Sequence, residues 1–597
     1  MPPVRPDLKD SVMFLRVYWA LAALLLLPAL VVAADDPAQK SALDLLPAST
    51  VAYVEVDAPQ KLIDAALDHP LMKELQQHPD YQQALQSPDM EELLKVVKLV
   101  EEKLGLPWRE ALTKLSGDGV YVGFDLATQG VIVLVHSRDA ELLIKSRDTF
   151  LELARADAKE RGKADPVSVE EYRSTNIYKL KDSSFTTLGP WLIITSKPLL
   201  GRMVLDNAAG AGSGSLATET QFVAAQKSKV GAPCVWSYTD LTILRATGLA
   251  KALVNKKSDN PAGELLIGGI LGAVPDAPYV TASIDLSAQG VKVSTAVPYN
   301  TGKVAKTREF YFGPQGKGAA PALLEPAQTI FSLSAYRDFA ALWRNAPDLF
   351  NDDVNGQFAA AENTLTTLFS GKSFSDDILA KLEPGVQIVV TRQDFAKNEV
   401  VPQIKLPAIA GVFRLKEPAD TARQFKITYQ SLVGFLNIAG GQAKLEALEQ
   451  TTEKIGGITL NSAVYLPPEQ AEKRKDAAVH FNASPTIAFV GDRFVIASTR
   501  ALALELAQQI EKQSPKDAEG VNTQMRLDGQ MLRATLTDNR QQLVAQNMAE
   551  KGHDEAAAQN EIDLLLRLLH TFQEMSLSLT TNDQLLRFNW EMKLSGK

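Results

Sequence analysis

Twelve residues from Asn351 to Glu362 place oxygen-bearing side chains at the spacing of a helix-loop-helix calcium loop. Asn351, Asp353 and Asn355 take positions 1, 3 and 5, Gly356 takes 6 and Glu362 takes 12. A divalent cation needs carboxylate charge as well as oxygen, and Asn351 at the first position removes one negative charge from the set. Phe358 stands at position 8, where Ile, Leu or Val is usual, and Pro347 shortens any entering helix. The competing reading is a turn in which Asn or Asp caps a helix beginning near Gln357. That reading is preferred, so no metal and no cofactor is expected, with calcium at Asn351, Asp353, Asn355 and Glu362 as the alternative.

Other chemistry has fewer candidates. A hydrolase needs a nucleophile, a base and a group that orients the base. The six histidines are His69, His78, His136, His480, His553 and His570. None stands in a His-Glu-x-x-His helix, and no serine occupies a Gly-x-Ser-x-Gly elbow. No catalytic residue is therefore expected. A glycosidase pair of carboxylates leaves no mark in sequence spacing, because its members come from distant segments. Gly210-Ala-Gly-Ser-Gly-Ser215 is rich in glycine but lacks the Gly-Lys-Ser/Thr of a phosphate cradle, and it reads as a flexible loop. The single cysteine, Cys234, lies in the apolar segment Ala232 to Trp236 and forms no intrachain disulfide. A formal net charge of -9 argues against a nucleic-acid partner, which would demand a concentrated basic surface.

The N-terminus carries an address. Arg5, Lys9 and Arg16 precede an unbroken apolar run from Val17 to Ala34, followed by Asp35-Asp36. Val32 and Ala34 are small enough for the -3 and -1 positions of a signal peptidase, so residues 1–34 are expected to be a signal peptide cut between Ala34 and Asp35. The alternative is an uncleaved anchor, which would then be the one membrane contact. Either way the protein is expected to be exported, to the periplasm or cell envelope.

Positioning elements are legible because they occur twice. TTLGPWLIITSKPLLGRMV, from Thr186, returns as AFVGDRFVIASTRALALEL, from Ala488. Each copy reads as strand, tight turn (Gly189-Pro190, Gly491-Asp492), strand, and a helix capped by Ser196 or Ser498. The opening strand Pro47 to Val56 matches Pro326 to Ser334, and Val120 to Phe124 with Val131 to Val135 match Val386 to Val390 with Ile409 to Phe413. A long helix follows in each, with Leu143, Ile144, Phe150, Leu151 and Ala154 on one face, and Ala422, Phe425, Tyr429, Leu432, Val433 and Leu436 on the other copy's. Each half closes on antiparallel strands. The expected fold is α+β: two duplicated lobes, 35–300 and 323–597, joined by a linker at 301–322, each a mostly antiparallel sheet with helices on one face. Ala208 to Ser215, Asn300 to Pro321 and Gln513 to Gly520 read as mobile connections.

The signal segment, the Leu45-Leu46-Pro47-Ala48-Ser49-Thr50 opening and the repeated hairpin-helix unit resemble an uncharacterised family of large bacterial exported proteins that carry a domain of unknown function. The resemblance spans nearly all of the chain after residue 34. It implies an extracytoplasmic address and brings no catalytic residue with it. The expectation for function is an exported, non-catalytic binding or scaffold protein of the bacterial cell envelope, partnered by another envelope protein. Two alternatives stay open: a carrier of lipid or another amphiphile, and a hydrolase whose site is assembled from carboxylates or Ser/Thr.

Overall fold

Strand β1 (Thr50–Val56) alternates buried and half-buried residues, as a strand with one face on a core must. The computed structural model describes residues 40–68, 72, 76, 79–181, 183–247, 257–300, 305–369, 371–396, 398–442, 444–512, 520–582 and 584–595. Ala34, Asp35, His69 and His78 lie outside the described residues, as do 301–304 of the expected linker and 513–519. The chain forms two compact units: residues up to Leu249 with Pro278–Ala288, and Ala250–Ala277 with Gln289–Lys597.

The first unit contains β2 (Val120–Asp125), β3 (Gly130–His136), β4 (Val167–Tyr172), β5 (Thr175–Leu180), β6 (Ser183–Leu188), β7 (Trp191–Thr195), β8 (Val235–Asp240) and β9 (Tyr279–Ser287). All pairings are antiparallel, and the strands run in the order β4-β5-β6-β7-β3-β2-β1-β8-β9. Its main helices are α1 (Pro88–Leu104), α2 (Trp108–Leu115), α3 (Ala140–Glu160), α4 (Pro198–Ala208) and α5 (Leu241–Ala246).

In the second unit, α6 (Pro261–Ala273) and β10 (Gly290–Pro298) are followed by β11 (Thr329–Ala335), α7 (Phe339–Leu349), α8 (Asp352–Leu368), β12 (Val386–Thr391), β13 (Ala408–Arg414) and α9 (Pro418–Gln442). Next come β14 (Leu448–Ile455), β15 (Ile458–Tyr465), β16 (Thr486–Val490), β17 (Arg493–Ala497), α10 (Arg500–Lys512), β18 (Val521–Asp528), α11 (Gly529–Asp538), β19 (Phe572–Asn582) and β20 (Leu585–Leu594). The order is β14-β15-β16-β17-β13-β12-β11-β18-β19-β20-β10, again antiparallel throughout. The nine strands of the first unit thus have counterparts paired in the same succession in the second. β10, expected in the first lobe, pairs along its whole length with β20 and is grouped with the second unit.

The α+β class holds, but helices cover both faces of each sheet rather than one. In β3, Ile132 and Leu134 join α4 residues Leu200 and Val204 in one core, while Val135 joins Leu115 of α2 and Leu143 of α3 in another. In the second unit Val495 packs with Leu502 and Leu506 of α10, and the adjacent Phe494 packs with Phe425 and Tyr429 of α9. Neighbouring strand residues point to opposite faces, so an unbroken apolar strand requires two covers.

Two further expectations change. Ser196 does not cap α4: its Oγ accepts from the Val131 N–H at 2.8 Å, and its own N–H donates to the Val131 carbonyl at 2.9 Å. Ser498 makes the same pair with Ile409, at 2.9 and 2.8 Å. Each serine therefore stitches the end of one strand to the start of its neighbour; α4 begins with Pro198 in its first turn, and Thr499 Oγ1 accepts from the Leu502 N–H in α10. The described part of the expected linker is packed, with Phe310, Tyr311 and Phe312 buried in a core that includes Leu342, Leu349 and Phe350. The Gly-rich segment after α4 is anchored too, because Ser215 bridges Pro47 and Leu216 is buried.

Candidate functional site

The calcium-loop residues lie in a helix. Asn351 is the N-cap of α8, its Oδ1 accepting from the Val354 N–H at 3.0 Å, and Asp352 and Asp353 occupy the first turn. Asn355 Nδ2 donates to the Phe350 carbonyl at 2.9 Å. Glu362 Oε1 accepts from Ser373 Oγ at 3.1 Å and the Phe374 N–H at 2.8 Å, holding the turn that follows the helix. Eleven residues of helical rise separate Asn351 from Glu362 by about 16 Å along the axis. The four side chains therefore do not surround one point, and no group of three or more His, Cys, Asp or Glu converges among the described residues.

Three imidazoles stand beside carboxylates. His136 Nδ1 is 3.7 Å from Asp118 Oδ2, and its ring lies against Trp191 at 4.3 Å. His480 Nε2 is 2.8 Å from Glu446 Oε2 but off line for a hydrogen bond. His553 Nδ1 bonds Asn547 Oδ1 at 2.9 Å, with Glu561 at 3.4 Å. Among the described residues no hydroxyl or thiol hydrogen-bonds any of the three. Cys234 is buried, its sulfur 3.4 Å from Asp285 Oδ1.

The most site-like arrangement was not visible in sequence. It forms at the end of β1 in the first unit. Antiparallel register sets Glu55 directly opposite Tyr121 on β2 and Trp236 on β8, so the three side chains share a face. Two residues earlier, on the same face, Tyr53 donates its hydroxyl to Glu55 Oε2 at 3.0 Å. Behind them Phe222 meets Tyr53, Trp236 and Tyr238 edge-on, at 5.4, 5.8 and 5.1 Å between ring centroids. Glu55 is only 8% exposed. Its counter-charge is Lys229, which pairs with Glu55, lies 3.6 Å from Asp57, and sits 5.7 Å from the Trp236 ring centroid.

Electrostatics at this corner favour a cation. Burial, then the Glu55 charge, pushes the Tyr53 phenol far above its ordinary range. Burial and the charges of Asp57, Glu55 and Asp118 push Tyr121 up to about 12. Carboxylates, ring faces and phenols thus meet at one strand end, and the cation they hold is Lys229. In the second unit the position matching Glu55 is Ser334, whose hydroxyl donates to the Pro321 carbonyl at 2.6 Å, while Ser332 binds the Leu324 carbonyl at 2.8 Å. There the same sheet face holds the chain's own lead segment.

A separate shallow apolar groove lies between α1 and α2, lined by Val100, Leu104, Leu106, Trp108 and Leu112, with enclosed room for about one water. The Trp108 N–H donates to Glu101 Oε1 at its edge, at 2.8 Å.

No protein-family model and no curated protein matches the chain. Among solved structures it is similar to TP0453 in crystal form I, at 8% identity and a TM-score of 0.25, over 48% of this chain and 88% of that one. Crystal form III of TP0453 matches at 9% identity and a TM-score of 0.24, over 48% of this chain and 91% of that one.

Proposed function

We propose that the protein is an exported, non-catalytic binding or scaffold protein of the bacterial cell envelope, and that the Glu55 corner of its first unit receives a cationic group. Export rests on the apolar run after Arg16. The binding reading rests on one observation: a nearly buried carboxylate lies among aromatic rings, paired with Lys229, and on this reading a ligand's ammonium takes that lysine's place. Lys229 stands between a helix and β8, next to the exposed Val230 and to Gly231, so it can withdraw without breaking a sheet pairing. The test is titration of the full chain with tetramethylammonium and with a lysine-containing peptide, followed by Trp236 fluorescence. Saturable quenching that Glu55→Gln and Trp236→Phe abolish, and that Lys229→Ala strengthens, supports the reading. A linear, non-saturating response identical in all variants refutes it.

The carrier of lipid or another amphiphile is the alternative reading, and the α1–α2 groove, with enclosed room for about one water, lends it no support. Protein isolated gently from its host envelope and weighed by native mass spectrometry separates the two: a retained lipid mass favours the carrier.

A further inference from the structure

α9 and α3 occupy corresponding places in the two units, each following the second of two paired strands and packing on its sheet, yet their outward faces differ in kind. The exposed positions of α3 carry Glu141, Lys145, Asp148, Glu152, Arg155 and Lys159, as a solvated helix face does. The exposed stripe of α9 carries Ile427, Ser431, Phe435, Ile438 and Gln442, spaced four, four, three and four residues apart. Ile427 is 56% exposed, Phe435 60% and Ile438 68%. The inward side of the same helix is complete without them, with Phe425, Tyr429 and Val433 in the core. An apolar outer face is therefore no requirement of the fold, since α3 fills the same place without one.

Charge indicates what covers it. Between Asp420 and Glu446 the charged residues are Arg423, Lys426 and Lys444, all cationic, in a chain whose net charge is -9. Arg423 stands four residues before Ile427 on the stripe, with Asp420 at 3.0 Å, and Lys444 follows the helix end two residues before Glu446, so Lys426 and Lys444 carry most of the uncompensated positive charge. Cations at both ends of an apolar stripe match a surface that is apolar within and anionic at its boundary. Area points the same way. From Ile427 to Ile438 the stripe runs about 16 Å, and at a helix width of about 10 Å its footprint is roughly 160 Å². A stable protein interface needs about 800 Å² per partner, so a second copy is not held by this face alone. Inserted in lipid, the same area gives roughly a 1,000-fold partition preference.

We propose that the outward face of α9 is a reversible docking site for an anionic phospholipid surface, lying in the headgroup boundary. This contact is distinct from the N-terminal apolar run and independent of the Glu55 corner. The test uses the full chain in a Cys234→Ala background with an environment-sensitive fluorophore on Phe435→Cys, and a control label on Glu152→Cys in α3. The N-terminal run is common to both labelled chains, so a difference between them reports the helix face alone. Phosphatidylcholine vesicles containing phosphatidylglycerol should shift the emission at position 435 to the blue and leave position 152 unchanged. Replacing Arg423, Lys426 and Lys444 together by Ala should weaken that response roughly 100-fold. All three residues lie on or beside the outward face, so their loss spares the core. An unchanged spectrum at 435 overturns the proposal, as do equal shifts at both positions. So does a shift that grows with protein concentration in the absence of vesicles, which would assign the face to a second copy.

Discussion

Replacing Arg337 by Met should destabilise the second unit by about 4 kcal/mol, because this guanidinium is fully buried yet faces no carboxylate. Its Nε donates to the Leu265 carbonyl at 2.7 Å, Nη1 to the Tyr336 carbonyl and to Asn522 Oδ1 at 2.9 Å, and Nη2 to Thr523 Oγ1 at 2.9 Å. The plane lies over the Tyr311 ring at 3.5 Å. Four bonds from a charged donor contribute about 1.5–3 kcal/mol each, and a desolvated cation–π contact about 2 kcal/mol. Against them stands the cost of burying the ion, several kcal/mol, which also pulls the Arg337 pKa below its ordinary value. The bonds win, since Met also leaves Thr523 Oγ1 and two carbonyls short of a donor. Arg337→Lys should be worse than Met: the charge stays buried but a single ammonium cannot reach acceptors on α6, β11's end and β18 at once. Calorimetry of the full chain should show the affected transition lowered by about 6 °C for Met, and hydrogen exchange should place the lost protection in α6 and β18 while β4 to β7 are unchanged. A Met variant as stable as the parent, or a Lys variant that matches it, would refute the reasoning.

Ser196→Ala and Ser498→Ala should each cost about 1 kcal/mol, the loss of one hydrogen bond to a strand amide, and urea midpoints should fall by similar amounts for the two. His136 is half-buried against Trp191, and burial holds its imidazole below the ordinary value of 6.5, with Asp118 opposing. The unfolded chain then binds this proton first as pH falls, so the contribution is fully present above about 6.5 and is lost on acidification below it. His136→Gln should flatten that part of the urea midpoint against pH. Asn351→Ala should lower stability by about 1 kcal/mol through the lost helix cap, and calcium should leave the melting temperature of either chain unchanged by calorimetry.

Much of the fold was legible because β-strands advertise themselves by unbroken apolar runs and turn residues. Gly189 and Gly491 have positive φ, 55° and 60°, at the first position of the hairpin turns the repeat located. Val131-Ile-Val-Leu-Val135 has no polar member; Val131 at its start is exposed, but Ile132, Leu134 and Val135 are buried on opposite faces under separate helices. Ser196 and Ser498 looked like caps because a hydroxyl before a helix usually is one; whether it bonds the helix or a strand that precedes it by 65 or 89 residues is decided by tertiary packing. Phe310-Tyr-Phe312 carried a core signal that flanking glycines obscured. The Glu55 corner left no signal at all: Lys229 and Glu55 are 174 residues apart, and each aromatic sits at an ordinary strand position. Register assembles that site, and register is not local.

The two units share their strand pairings, so what differs at matched positions is what the fold leaves free. At the end of β1 the first unit places a buried carboxylate and a lysine; at the end of β11 the second places Ser334, bonded to its own chain. On the long helix the first unit keeps a charged outer face and the second an apolar one flanked by cations. Neither difference improves packing, because both cores close without it. Glu55 costs desolvation that a serine avoids, and an exposed Phe435 stabilises nothing within its own unit. Residues that burden the fold where an equivalent position shows a cheaper solution are held by something outside it. These two departures from the matched positions are what the proposed cationic-group site of the first unit and the proposed lipid-docking face of the second rest on.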